Sequence, residues 1–241
     1  MKELTLRRLL EESSYTVFMG GAGVSTESGI PDFRSAHGLY GRKKEGLSYE
    51  EMLSIYYFLS HTEEFYDFYK SSMLYPRAEP NRAHLALAKL EEEGRLQAVV
   101  TQNIDGLHQK AGSRTVLELH GSAHRNYCMD CGRSYAMADI LAAPGVPRCA
   151  CGGLIRPGIV FYGEQLDDAV VSQAVEHISK ADLLIVGGTS LVVYPAAGLV
   201  RYQKTGGKLC LINRDPTSCD DMAGLLIRGD LGDALGAAAG L

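Results

Sequence analysis

Hydrophobic residues along this chain follow two periods, and the way these alternate predicts the fold class. Apolar runs at Thr16 to Met19, Leu96 to Val100, Val116 to Leu119, Leu183 to Val186, Lys208 to Ile212 and Leu225 to Ile227 are strand-length. They have almost no polar face, as parallel strands buried on both sides do. Helix-period segments lie between them. Leu4 to Leu10 has helical spacing, and so does Ala169 to Ile178. Pro80-Asn81 opens a helix with Asn81 as N-cap, and Gly94 stands just past its end. His84 lies on the inner face of that helix and reads as a packed core histidine. Residues 36–77 break the rhythm: they are rich in Tyr, Phe and Glu, helical around Tyr49 to Leu59 and Glu63 to Ser72, and show no strand. Their aromatics are expected in the core and in a groove wall. Arg156 to Glu164 predicts one more strand ending in a polar loop, with the chain back in its main domain from Ile155. The whole predicts an α/β fold, a doubly wound parallel (Rossmann-like) sheet with two inserted modules. The main domain takes 1–35, 78–124 and 155–241, a helical module 36–77, and a second small module 125–154.

Composition narrows the partners. A net charge of −5 lacks the basic excess of a nucleic-acid binder. No run reaches 18 apolar residues, and Met1-Lys2-Glu3-Leu4 does not begin an apolar leader, so the expectation is a cytoplasmic protein with no membrane partner. Six cysteines in such a protein point to metal or catalysis before disulfides. Cys128-Met129-Asp130-Cys131 and Cys149-Ala150-Cys151 form two close pairs. Four thiolates so spaced can close a tetrahedral shell around one structural zinc. A redox pair or two disulfides would not account for paired spacing in a Gly- and Pro-rich insert with little core of its own. Cys210 and Cys219 read as bystanders.

The polar clusters stand where strands end. Thr16 to Met19 delivers Gly21-Ala22-Gly23, which by itself is either a tight turn or a cofactor cradle. The G-x-G-x-x-G fingerprint fails at Thr26, and no acidic residue closes a second strand about 20 positions on. The next strand delivers Thr101-Gln102-Asn103-Ile104-Asp105-Gly106-Leu107-His108, in which Asn103 to Gly106 also reads as a β-turn. A third delivers His120-Gly121, and a fourth Gly187-Gly188-Thr189-Ser190. Open α/β sheets bind ligands at these carboxyl ends.

In combination the strings are far more specific than any one alone. Gly21 to Ser35, Thr101 to His108, His120-Gly121, the paired cysteines, Ile159 to Glu164, Gly188 to Ala196 and Ile212-Asn213 resemble the sirtuins, NAD-dependent protein-lysine deacylases, over essentially the whole chain. The resemblance implies a Rossmann-like domain, a zinc module and a helical module, with NAD and acyl-lysine meeting between them. By that resemblance Ala22, Gly23 and Thr26 belong to the cofactor pocket, with Phe33 and Arg34 on a loop covering the ribose. Ile30, Ile104 and Asp105 form the nicotinamide pocket, and Gln102 and Asn103 hold the adjoining ribose and an ordered water. Gly188, Thr189 and Ser190 bind phosphate and adenosine ribose, and Asn213 and Leu231 place the adenosine. His120 is the general base, with Asn103 beside it in the reaction. Val160 and Phe161 line the acyl-lysine tunnel, while Glu164 and Val193 flank an added peptide strand. Cys128, Cys131, Cys149 and Cys151 hold the zinc. The implied activity is deacetylation of proteins or peptides, giving nicotinamide, O-acetyl-ADP-ribose and free lysine. Mono-ADP-ribosyl transfer and a non-catalytic NAD sensor are the alternatives. One departure bears on acyl choice. Desuccinylating sirtuins carry Tyr-x-x-Arg in the helical module, and here the stretch is Tyr66-Asp67-Phe68-Tyr69, which favours neutral acyl groups.

Overall fold

The computed structural model describes residues 5–32 and 46–241. In chain order the strands are β1 (Thr16–Gly20), β2 (Ala98–Thr101), β3 (Val116–Glu118), β4 (Gly121–Cys128), β5 (Ser134–Tyr135), β6 (Ile155–Ile159), β7 (Leu183–Gly187), β8 (Lys208–Ile212) and β9 (Leu225–Ile227). The α-helices are α1 (Leu6–Glu12), α2 (Tyr49–Met52), α3 (Ile55–Ser60), α4 (Thr62–Ser72), α5 (Arg82–Glu92), α6 (Leu107–Ala111), α7 (Met137–Ala142), α8 (Asp168–Lys180) and α9 (Leu231–Ala239). No helix of the described residues is long and apolar enough to cross a membrane.

Six strands form a parallel sheet in the order β3-β2-β1-β7-β8-β9. Strand side chains alternate between faces. Phe18, Ile185, Cys210 and Ile212 turn towards α1, α5 and α9. Val17, Met19, Leu184, Val186 and Leu211 turn towards α8 and a 3₁₀ helix, Ala196–Tyr202. Both faces are covered, which is why the runs have so little polar character. As expected, Asn81 caps α5: its side-chain oxygen accepts from the amides of Ala83 and His84. His84 is fully buried.

Elsewhere the structure corrects the pattern. The strand expected at 156–164 is β6, and it ends at Ile159. It does not join the parallel sheet. It pairs antiparallel with β4, which pairs in turn with β5. The small sheet thus takes in residues on both sides of the 125–154 insert. β4 gave no signal because it contains only four apolar or small positions among polar ones, its buried residues including Ser122 and Asn126. The short Ala/Gly-rich tail beyond Asp230 is α9. Two internal glycines cost a helix roughly 1 kcal/mol each, yet Gly236 is where Arg82 lies across the helix, with no room for a Cβ. Packing on α5 and α1 outweighs propensity there.

The two inserts share one core. Phe58, Phe65, Tyr66, Phe68 and Tyr69 from α3 and α4 pack with Met137, Ile140, Ile155, Ile159 and Phe161. Phe58 stacks on Phe161 with centroids 5.1 Å apart. Polar bonds fasten the same joint. Tyr66 donates its hydroxyl proton to the Ile155 carbonyl, and Lys70 Nζ donates to the carbonyls of Ala143 and Gly145, both at 2.6 Å. The amides of Ile55 and Tyr162 bond across to the carbonyls of Tyr162 and Leu53, each at 3.0 Å. The helical insert and the small sheet are therefore one lobe, standing across a cleft from the parallel sheet.

Candidate active site

β2 and β7 lie on opposite sides of β1. Chain reversal at such a point leaves a crevice at the carboxyl ends of the strands. Loops after β1, β2, β7 and β8 surround a cleft of about 520 Å³ that continues between the sheet and the lobe. Glycine has a specific use in it. The Gly23 amide donates to the Gly188 carbonyl at 2.8 Å, and a Cβ on Gly23 would stand 2.7 Å from the Gly188 Cα. The loops after β1 and β7 can touch only without side chains there, and Gly188 has a φ of +60°. Gln102 ties in the third loop, its Nε2 donating to Thr189 Oγ1 at 3.1 Å.

Asn103 and Asp105 meet through a residue the sequence did not single out. Ser25 Oγ donates to Asp105 Oδ2 at 2.7 Å and accepts from Asn103 Nδ2 at 3.1 Å. The other Asp105 oxygen accepts from the Leu107 amide at 2.9 Å. Ser25 is buried; no pattern separates it from Ser28 or Ser35 nearby. On the far wall, His120 Nδ1 lies 2.9 Å from the Gln102 carbonyl. A carbonyl only accepts, so Nδ1 carries the proton and Nε2 keeps a lone pair in the neutral ring. Burial lowers the His120 pKa, opposed in part by the Gln102 bond. Burial thus favours the neutral ring.

Arg156 is a second residue that sequence reasoning missed. Its guanidinium forks onto Glu164, with both N–O distances 2.9 Å, and also donates to the Ile159 carbonyl at 3.1 Å. Glu164 accepts from the Phe161 amide at 2.9 Å. Burial works against the Glu164 charge, but Arg156 and that amide outweigh it and hold the carboxyl below its ordinary range. The fork sets the segment carrying Val160 and Phe161, and no local pattern links positions 156 and 164.

The cleft brings together Ala22, Gly23, Ile30, Gln102, Asn103, Ile104, Asp105, His120, Val160, Phe161, Glu164, Gly188, Thr189, Ser190, Val193 and Asn213. Thr26 and Leu231 do not line it. Thr26 instead turns its hydroxyl to the Gly23 carbonyl at 3.0 Å, and Leu231 is buried over Gly187 in the sheet core. Phe33 and Arg34 lie outside the described residues. Tyr66 and Tyr69 are fully buried in the lobe and do not line the cleft, so this Tyr-x-x-Tyr does not face an acyl group.

The sulfurs of Cys128, Cys131, Cys149 and Cys151 all lie within 4.8 Å of one another. Cys128 and Cys151 are 3.5 Å apart, Cys131 and Cys149 3.6 Å. Disulfides are excluded at these separations. Four thiolates about 2.3 Å from a tetrahedral zinc stand roughly 3.8 Å from each other, so the cluster fits one ion with no position left for water. Its place between β4 and β6 is structural, on the lobe's side of the molecule.

Residues 21–195 match the Sir2 family. The chain is 56% identical over 234 residues to an NAD-dependent protein deacetylase of Clostridium acetobutylicum, covering 95% of both. Among solved structures it is similar to a Sir2 histidine-to-alanine variant with a deacetylated p53 peptide and 3′-O-acetyl-ADP-ribose (TM-score 0.86, 46% identity, 95% of this chain and 94% of that one). It is similar also to Sir2 with a p53 peptide and NAD⁺ (TM-score 0.83, 46% identity, 95% and 93% covered). With the cleft, the cysteine cluster and these likenesses in hand, the chain belongs to the Sir2 family.

Proposed function

We infer that the chain is an NAD-dependent protein-lysine deacetylase, moving acetyl from lysine to ADP-ribose and releasing nicotinamide, O-acetyl-ADP-ribose and free lysine. The observation that carries this reading is the neutral His120, its Nδ1 fixed on Gln102 and its Nε2 free, in one cleft with Asn103 and Asp105. A sensor that only bound NAD would have no need of a base there. In this reading Asp105 accepts from the nicotinamide carboxamide, and Asn103 and Gln102 orient the ribose. His120 Nε2 takes a ribose hydroxyl proton as the acetyl group is transferred. The acetyl-lysine peptide lies as an added strand beside Gly163-Glu164 and Val193, its side chain passing Val160 and Phe161. The cysteine cluster holds zinc away from this chemistry and takes no part in it.

Acyl choice follows from the lining. Among the described residues the cleft carries Asp32, Asp105, Glu164 and Asp215 but no Lys or Arg. A succinyl carboxylate entering it would lose hydration and gain no cationic partner among the described residues, which costs several kcal/mol. Acetyl-lysine is therefore expected to exceed succinyl-lysine in kcat/KM by about 10²-fold or more.

The test is mass spectrometry of the products from NAD and an acetylated peptide, wild type against His120→Ala. Acetyl-ADP-ribose and free lysine from the wild type, with turnover lower by about 10²–10⁴-fold in the variant and NAD affinity within a few-fold, is the expected outcome. ADP-ribosyl-peptide in place of these products would favour ADP-ribosyl transfer. Unaltered turnover in His120→Ala would sink the base assignment.

A further inference from the structure

The turn that carries Ile104 and Asp105 is held from the lobe as well as from the sheet. Two hydrogen bonds reach it from the start of β4. The Ala123 amide donates to the Ile104 carbonyl at 3.0 Å, a main-chain bond any residue could make. The other needs a particular side chain: His124 Nε2 lies 2.9 Å from the Asp105 carbonyl. That oxygen only accepts, so Nε2 is the donor. The ring fills the space over Gly106, where a Cβ would lie 2.9 Å from both Cδ2 and Nε2, and Gly106 has a φ of +71°. The two residues fit as a pair, a glycine in the left-handed region with an imidazole seated on it.

We propose that His124 is a positioning residue for the nicotinamide end of the cleft, holding the Asp105 peptide from the lobe while Ser25 and the Leu107 amide hold its carboxylate. This rests on the reading of Asp105 given above. The Ser25 hydroxyl, from the segment after β1, and the Leu107 amide, from the same turn, fix the carboxylate. They leave the tilt of the Asp105–Gly106 peptide free. Among the described residues, His124 is the side chain of the lobe that bonds the Asp105 carbonyl, and it ties the carboxamide-facing edge to the small sheet. Asp105 then reads the seating of the lobe. His124 is exposed and touches no reacting atom, and its contribution is to orientation alone.

Isosteric substitutions separate a hydrogen bond from simple filling. His124→Gln offers an amide N–H at similar reach, His124→Glu the same shape with an acceptor facing the carbonyl, and His124→Ala neither. Losing one such bond is expected to weaken nicotinamide inhibition, and exchange of labelled nicotinamide into NAD, by roughly three- to tenfold in His124→Ala. The kcat for acetyl-peptide should change less than the nicotinamide constant. Gln should restore the constant to within about twofold, and Glu should be no better than Ala, because two acceptors then face each other. Thermal unfolding of all four proteins identifies any general loss of structure. Equal constants in wild type and Ala, or equal rescue by Gln and Glu, would overturn the proposal. Absence of acetyl-peptide turnover in the wild type would instead count against the proposed activity. Calorimetric NAD titration of the same four proteins would still rank them by the His124 bond.

Discussion

The parallel sheet and the lobe across the cleft are built on opposite principles. In the sheet the strands are largely apolar runs, most core residues come from regular elements, and the polar residues of the strands stand at their ends. In the lobe the strands are short and mixed, and the core is aromatic, assembled from stretches more than fifty residues apart such as Phe58 and Phe161. Some of its buried polar groups are paired across the joint, as Tyr66 is with Ile155. The sheet region draws its order from repetition. The lobe draws it from a few specific contacts and a four-cysteine cluster, and should therefore lose order in larger steps.

The largest expected difference concerns that cluster. Structural zinc contributes about 10–16 kcal/mol of apparent binding free energy, which a domain with little core of its own realises as folding. Cys128→Ser, or chelation, should strip amide-exchange protection from β4 to β6 and abolish turnover, while β1, β7 and β8 keep theirs. Metal analysis should give one zinc per chain before treatment and none after. Uniform loss of protection in both regions would remove the contrast.

Next comes a charge placed in the lobe's core. Tyr69 is fully buried and stacks on Phe65 at 5.4 Å. Tyr69→Arg should destabilise the protein by about 3–5 kcal/mol in denaturant titration, since an unpaired buried cation costs that much. It should confer no desuccinylation, because the position does not face the cleft. Gain of desuccinylation with intact stability would show that the side chain reaches the tunnel after all.

Acid tests the sheet side. His84 and His108 lie buried with ring centroids 4.7 Å apart. Burial pushes their pKa values down to about 4 and about 3, Asp105 partly opposing the shift at His84. Unfolded histidine takes its proton near 6.5, so below that the unfolded chain binds more protons than the native one and stability falls. The slope should reach up to about 1.4 kcal/mol per pH unit for each histidine as pH drops from about 6.5 towards 4. A stability curve flat across that window would mean the pair is protonated in the fold. Replacing His108 by Leu should flatten part of it.

The smallest effects come from two neighbouring tyrosines. Tyr66→Phe removes the bond to Ile155 and leaves a buried carbonyl short of a donor, at a cost of about 1 kcal/mol. Tyr69 Oη is buried with no hydrogen-bond partner among the described residues, so Tyr69→Phe should be neutral or stabilising by up to about 1 kcal/mol. Matching signs in paired urea titrations would mean that the two hydroxyls are equivalent.

This contrast also explains what could be read in advance. The parallel strands declared themselves because burial on both faces requires continuous apolar runs. The cysteines did so because metal geometry demands local pairing. β4 was invisible, since Gly121 to Cys128 looks like a polar connection until β6 lies beside it. α9 was hidden by glycines whose neighbours are distant in sequence, Glu27 at Gly232 and Arg82 at Gly236. In the cleft, residues inside contiguous strings were legible, and sixteen of those expected there do line it. Ser25, Arg156 and His124 were not, because each acts through a partner that no sequence spacing announces: Asp105, Glu164 and Asp105 again. The Tyr66–Tyr69 stretch shows the converse error. Matching a motif by alignment says nothing of which way its side chains turn, and here they turn into the core.

The shared aromatic core also has a consequence for the order in which the chain can be made. The buried residues of the lobe's core run from Tyr49 to Phe161. The parallel sheet needs β7, β8 and β9, which come later. On a ribosome, where domains close as their last residue emerges, the lobe is complete while half the strands of the sheet are still unmade. Until β7 arrives, β1 has a neighbouring strand on its β2 side alone. A finished lobe with metal in place would then serve as the fixed end against which the sheet is assembled.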